Sequence, residues 1–203
     1  MEPFTSLDAV AVPLDRTDID TGTIFPSRFL RRARSAGYHD VLFREWRFDA
    51  AGAERPGFPL NQNTYRNAQI LVTGPNFGCG SARELAVLAL LDFGIRCIIA
   101  PSYGEIFTIN CFRNGLLAVA IEKKQTDTLN AELCANPGAH VRINLESQIV
   151  TAPSGEVFHF DITPSRKSRL QQGLDDCILA MQFSEQIRHF ESAYFEGSPW
   201  LLP

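Results

Sequence analysis

The chain is 203 residues long, 45% hydrophobic and 21% charged, which is enough for one domain with a proper core and unlike a disordered chain. Its formal net charge of −4, with no long basic run, argues against a nucleic-acid binder that works by displacing counterions; Arg28, Arg31, Arg32 and Arg34 are a local exception. The N-terminus lacks the pattern of a secretory signal and no segment stays apolar for membrane-spanning length, so a cytoplasmic protein with no membrane partner is expected.

In chain order, Val10 to Leu14 reads as a short first strand, followed by a polar loop, Asp15 to Thr23, rich in Asp and Thr. Such a loop can bind a ligand or can be a solvated turn held by its own side chains. Between Arg28 and Arg34 arginines interleave with apolar positions, a pattern that either covers a helix face or recognises a substrate carboxylate. Residues 49–63 carry several chain breakers and no helical period, which predicts a long loop, either a surface connection, a lid or an interface.

The central stretch is Thr73 to Glu84. Ala68 to Val72 before it has the length and apolarity of a strand, and Leu85 to Leu91 after it is rich in helix formers. Gly74, Gly78 and Gly80 make the joining turn one that a ligand can approach closely. Ser81 with Glu84 three residues on reads as a helix N-cap and capping box, which is an ordinary helix start and equally an anion site at a helix N-terminus. Arg83 adds a charged planar fork suited to a carboxylate or phosphate.

Past the turn, a helix should stop near Asp92 and Phe93 because Gly94 suits a left-handed cap. A strand at Arg96 to Ala100, a polar turn at Pro101 to Glu105, a segment from Ile106 to Asn114 closed by Gly115, and a strand at Leu116 to Ile121 complete a strand-helix alternation that predicts a parallel α/β core. In such sheets ligands gather at the loops after the strand C-termini. A short helix at Thr126 to Leu133 follows, then strands at 140–144, 148–151 and 157–161, the last two joined as a hairpin, and helices from Pro164 onward. His140 and His159 read as packing or surface residues. The five cysteines (Cys79, Cys97, Cys111, Cys134, Cys177) are widely spaced with no metal motif, as expected for reduced thiols.

Taken together, Asp18 to Leu30, Asn76 to Glu84, Ile98 to Phe107 and Asn114 to Leu117 resemble the small subunits of 3-isopropylmalate dehydratases in the aconitase superfamily, in the family's order, and Arg44 to Phe48 is similar to the longer bacterial form. The resemblance implies one swivelling β/β/α domain over residues 1–203, with a parallel-sheet core, additional strands and C-terminal helices at about 164–195. It also implies a hydro-lyase active only with a large catalytic subunit. That partner would hold a [4Fe-4S] cluster, and this chain would bind no cofactor itself.

By position in the family pattern, Ser81 is the base that takes a proton alpha to a carboxylate and Arg83 assists it. Asp20, Thr21, Arg28, Gly80 and Ala82 are the implied contacts to a small hydroxy-dicarboxylate, isopropylmalate in leucine biosynthesis. Three positions depart from the pattern: Gly22 replaces an aspartate, Ala82 a second serine, and Leu85 a histidine. They leave open a related dehydratase acting on another substituted malate, of the citramalate or dimethylmalate type, and a non-catalytic partner subunit.

Overall fold

The structure, a computed structural model, describes residues 1–201. Its centre is made by two short apolar strands, β2 (Ile70–Thr73) and β3 (Cys97–Ala100), every residue of which is buried. Strands hidden on both faces need no polar alternation, and both pair in parallel, as buried strands in an α/β core do. With β1 (Ser6–Leu14) and β4 (Leu117–Ala120) they form the parallel half of a seven-stranded sheet. The antiparallel half is β5 (His140–Asn144), β6 (Ile149–Thr151) and β7 (Val157–His159), and the order is β4-β3-β2-β1-β5-β6-β7. β1 is long enough to serve both halves: Ala11 to Leu14 pair with β2 while Ser6 to Val10 pair with β5.

Alternation along the strands divides the core. Leu71 and Ile98 join one cluster with α3 (Glu84–Phe93) and α4 (Glu105–Asn114), whereas Ile70, Val72, Cys97 and Ile99 join the other with Leu129 and Leu133 of α5 (Lys123–Ala135). α3 and α4 stop where glycine allows a left-handed cap, at Gly94 (φ 111°) and Gly115 (φ 83°). The expected strands and helices of the core are therefore present, and α5 begins earlier than its apolar period suggested because Glu122 and Gln125 form a capping box.

Residues 25–68 differ from expectation. The arginine-rich stretch forms two single 3₁₀ turns, Ser27–Phe29 and Arg34–Ala36, and not one helix face. Arg28 pairs with Glu45, Arg32 with Asp40 and Arg34 with Asp92, so these cations fasten the excursion to itself and to α3. Within the supposed loop at 49–63, Phe58, Leu60 and Asn61 are buried, and two 3₁₀ turns cover Pro59–Asn61 and Asn63–Tyr65. Arg47 explains the anchoring. It lies in α2 (Arg44–Arg47), is fully buried, donates to Asn61 Oδ1 (3.1 Å) and to the His39 carbonyl (2.7 Å), and stands over the Phe48 and Phe93 rings. Burial lowers its pKa to about 10, which still leaves it charged at neutral pH.

Candidate active site

Three loops leave the C-terminal ends of β1, β2 and β3 side by side, and the glycines of the central one let them interlock. Asp18 donates its N–H to the Pro75 carbonyl (3.0 Å) and accepts from the Asn76 amide at 2.7 Å. Gly78 N–H donates to Ile19 O (2.7 Å), and Thr21 N–H to Cys79 O (3.0 Å). On the other side Phe77 N–H donates to Ser102 O, and Gly104 N–H donates back to Phe77 O (2.9 Å). Gly78 has φ 73°, and a Cβ there would overlap the Phe107 ring, so only glycine fits between the loop and α4.

Asp20 caps α1 (Thr21–Ile24). Its carboxylate accepts from Gly22 N–H (2.7 Å), Thr23 N–H (3.1 Å) and the Thr23 hydroxyl (2.7 Å). Partial burial pushes its pKa up, but these donors outweigh burial and hold it below the usual carboxylate value. The buried Thr21 hydroxyl donates to the Ser81 carbonyl at 2.6 Å and so fixes the serine's backbone from sixty residues away. Arg83 reaches back over the same turn, Nη1 donating to Phe25 O at 2.9 Å. That is its one hydrogen bond among the described residues, so the Nε–Nη2 edge stays open.

Ser81 does not cap the helix. α3 starts at Glu84 with Arg83 in the cap position and no side-chain hydrogen bond there, so the expected Ser81–Glu84 capping box is absent. The physical reason lies upstream: Gly80 has φ 81° and the chain is still turning at Ser81, too early for its oxygen to reach the first helical N–H groups. Glu84 instead accepts from the Asn114 amide of α4 (2.9 Å). Ser81 is left exposed, its hydroxyl without a hydrogen-bond partner among the described residues, next to Gly80 and Ala82, which are also exposed.

The sequence candidates Asp20, Thr21, Gly80, Ser81, Ala82 and Arg83 thus lie at one loop junction. Arg28 is on a separate 3₁₀ turn, its guanidinium engaged by Glu45 and packed over Phe29. Sequence reading missed the Phe25 carbonyl that holds Arg83, since a backbone acceptor has no residue signature, and Thr23, whose place three residues after Asp20 was a readable capping signal. Cys79 lies in the same loop, but burial first and then the Asp20 and Asp18 charges raise its pKa, which makes it a poor nucleophile. Among the described residues no three His, Cys, Asp or Glu side chains converge to hold a metal ion.

Residues 1–124 match the family described as the aconitase C-terminal domain, and residues 127–164 match that named LeuD_N. Proteins named 3-isopropylmalate dehydratase small subunit are similar along nearly the whole chain. That of Roseobacter denitrificans is 45% identical over 99% of this chain and 100% of its own, and that of Neisseria meningitidis serogroup C is 43% identical over 100% and 99%. A crystal structure from Methanocaldococcus jannaschii, titled 3-isopropylmalate dehydratase, superposes with a TM-score of 0.67 at 23% identity, covering 91% of this chain and 99% of that one. This likeness establishes the fold, and the identities over full length establish the kinship: the chain belongs to the family of 3-isopropylmalate dehydratase small subunits, built on the aconitase C-terminal domain.

Proposed function

We propose that this chain is the small subunit of a heteromeric hydro-lyase that isomerises isopropylmalate by removing and re-adding water in leucine biosynthesis, with Ser81 as the base. The observation that carries the reading is the presentation of Ser81: an exposed serine hydroxyl, spent on no cap, between a turn fixed by Thr21 and an arginine anchored at Phe25. A serine oxygen takes a carbon-bound proton only if its anion is stabilised. The N–H groups at the start of α3 and the Arg83 guanidinium supply positive potential on that side. The open Nε–Nη2 edge of Arg83 suits bidentate capture of a substrate carboxylate, which would set the proton alpha to that carboxylate in front of Ser81.

The large subunit of such an enzyme is the partner, and its [4Fe-4S] cluster would supply Lewis-acid activation of the leaving hydroxyl. This chain's share is to orient the acid, take the proton at Ser81 Oγ and, as the subunits close, keep water from an otherwise exposed site. With that partner the chain would act on a small hydroxy-dicarboxylate in the cytoplasm. Co-expression with the large subunit, anaerobic cluster reconstitution and a hydratase assay with isopropylmalate test it. Turnover that collapses in Ser81→Ala is expected; equal turnover without the hydroxyl would overturn the assignment.

One observation favours a second reading, a dehydratase for a different substituted malate. A Cβ on Gly22 would lie 2.8 Å from Asp20 Oδ1 and 3.2 Å from Arg83 Nη1, so the missing aspartate of the family pattern would stand against Arg83 itself. Without it Arg83 has one less anion to satisfy, and Ala82 offers one less hydroxyl. Assaying citramalate and dimethylmalate beside isopropylmalate separates the two, the larger kcat/KM naming the substrate.

A further inference from the structure

Past α6 (Pro164–Gln172) the chain leaves its own core. The root is tied down: Leu170 is buried and its carbonyl accepts from Phe4 N–H (2.9 Å), Gly173 O accepts from the N-terminal ammonium (3.0 Å), and Asp176 pairs with Arg169 at 2.6 Å. Beyond it, α7 (Asp176–Met181), α8 (Ser184–Gly197) and a 3₁₀ turn at Pro199–Leu201 contain no buried residue. Yet the arm is apolar along one line. Phe183, Ile187, Phe190 and Tyr194 recur at helical spacing, with Phe190 66% exposed, and Met181 (72%) and Trp200 (76%) extend the run at either end. At about 150–250 Å² per large side chain these six expose on the order of 700 Å², more than the roughly 300–600 Å² patch of an ordinary monomer and close to the ~800 Å² that one side of a standard interface buries.

Charge narrows the occupant. Residues 174–203 hold five acidic residues against one arginine, and the 173 residues before them hold eighteen of each sign, so the whole net charge of −4 resides in the arm. Asp175 and Asp176 sit at the root near the N-terminal ammonium, Arg113 and Arg169, while Glu185, Glu191 and Glu196 flank the apolar line with only Arg188 against them. Two such arms repel each other, and an anionic lipid surface repels either. The matching surface is an apolar groove with a basic rim on another protein.

The matched family descriptions end at residue 164, whereas the small subunits align over about 200 residues and so include the arm. The arm thus belongs to the length this chain shares with proteins named small subunits, beyond the residues that the two family descriptions match. We infer that the α7–α8 arm is the tether by which this subunit holds its large partner, the apolar line of α8 lying in a basic-rimmed groove of that subunit. The inference rests on the proposed heteromeric function but not on the role of Ser81.

The test is assembly of the full chain with the large subunit, followed by sedimentation velocity and titration. The Ile187→Ser/Phe190→Ser variant, changed at two exposed positions and checked for unaltered thermal unfolding, should bind the large subunit at least about tenfold more weakly, as loss of central apolar anchors does. Glu185→Lys/Glu191→Lys should also weaken binding and flatten its dependence on salt. Ser81→Ala should assemble like the parent. A parent that assembles together with an Ile187→Ser/Phe190→Ser variant that assembles equally well overturns the tether and leaves the functional reading standing. A parent that binds no large subunit overturns both. A concentration-dependent dimer of the isolated chain that the double variant abolishes, or arm-dependent binding to anionic vesicles, assigns the arm to a second copy or to lipid and overturns the inference.

Discussion

Two helices begin at the same edge of the sheet and begin differently. At α1 the residue before the helix, Asp20, gives its carboxylate oxygens to the Gly22 and Thr23 N–H groups and the Thr23 hydroxyl. At α3 no side chain caps the start, and Ser81, which by sequence looked like the cap, stands outside the helix with its hydroxyl uncommitted. A polar residue that satisfies its own helix is occupied by the fold. A helix start left unsatisfied keeps both its N–H groups and the nearby hydroxyl for a ligand. In this contrast Asp20 is spent on structure while the Ser81 hydroxyl stays free for the chemistry proposed for it, and the contrast can be broken by substitution.

The largest expected effect is on turnover. Ser81→Ala should lower kcat of the assembled enzyme by roughly 10²–10⁴-fold, the range for losing a general base, and should move unfolding by no more than about 0.5 kcal/mol because nothing in the fold depends on that hydroxyl. Urea denaturation of the isolated chain beside the hydratase assay checks both halves; a stability loss approaching that of a cap residue would erase the contrast. Next is Arg83→Lys. An ammonium can satisfy the Phe25 carbonyl or the substrate, but not both with planar geometry, so kcat/KM should fall about ten- to a hundredfold. A KM and kcat both equal to the parent's would remove Arg83 from the site.

The converse substitution, Asp20→Ala, should cost about 1–2 kcal/mol of stability through loss of the α1 cap, with any activity loss following from a loosened Thr21–Ser81 contact. The smallest effect is its pH counterpart. Because Asp20 is held below its ordinary pKa when folded, its contribution is present above the unfolded value of about 3.8 and is lost as pH falls through the folded value. Parent and Asp20→Ala unfolding curves should therefore converge in strong acid. A gap between them that stayed constant down to pH 2 would show that the carboxylate charge contributes nothing.

Much of this was readable in the chain because it depends on local chemistry. Apolar runs bounded by glycine give β2, α3, β3, α4 and β4 nearly in full, since strands buried on both faces and helices closed by a left-handed glycine leave strong sequence marks. The cluster of Asp20, Thr21, Ser81 and Arg83 was legible from motif resemblance. The arginines at 28, 32 and 34 were not, because whether a guanidinium meets a substrate or a neighbouring carboxylate depends on which acidic residue the fold brings near, here Glu45, Asp40 and Asp92. The buried segment around Leu60 was likewise hidden, since its anchor is Arg47, a residue that local pattern places on the surface.

The sequence by itself therefore determined the parallel core, the glycine turn and the candidate serine, all consequences of backbone freedom and periodicity over a few neighbouring residues. Only the tertiary structure decided that Ser81 is not a cap, that Arg83 is held from behind by Phe25, and that the apolar line of α8 has no place in its own core. Those three facts depend on the distance between segments far apart in the chain, and side-chain identity alone does not fix such distances.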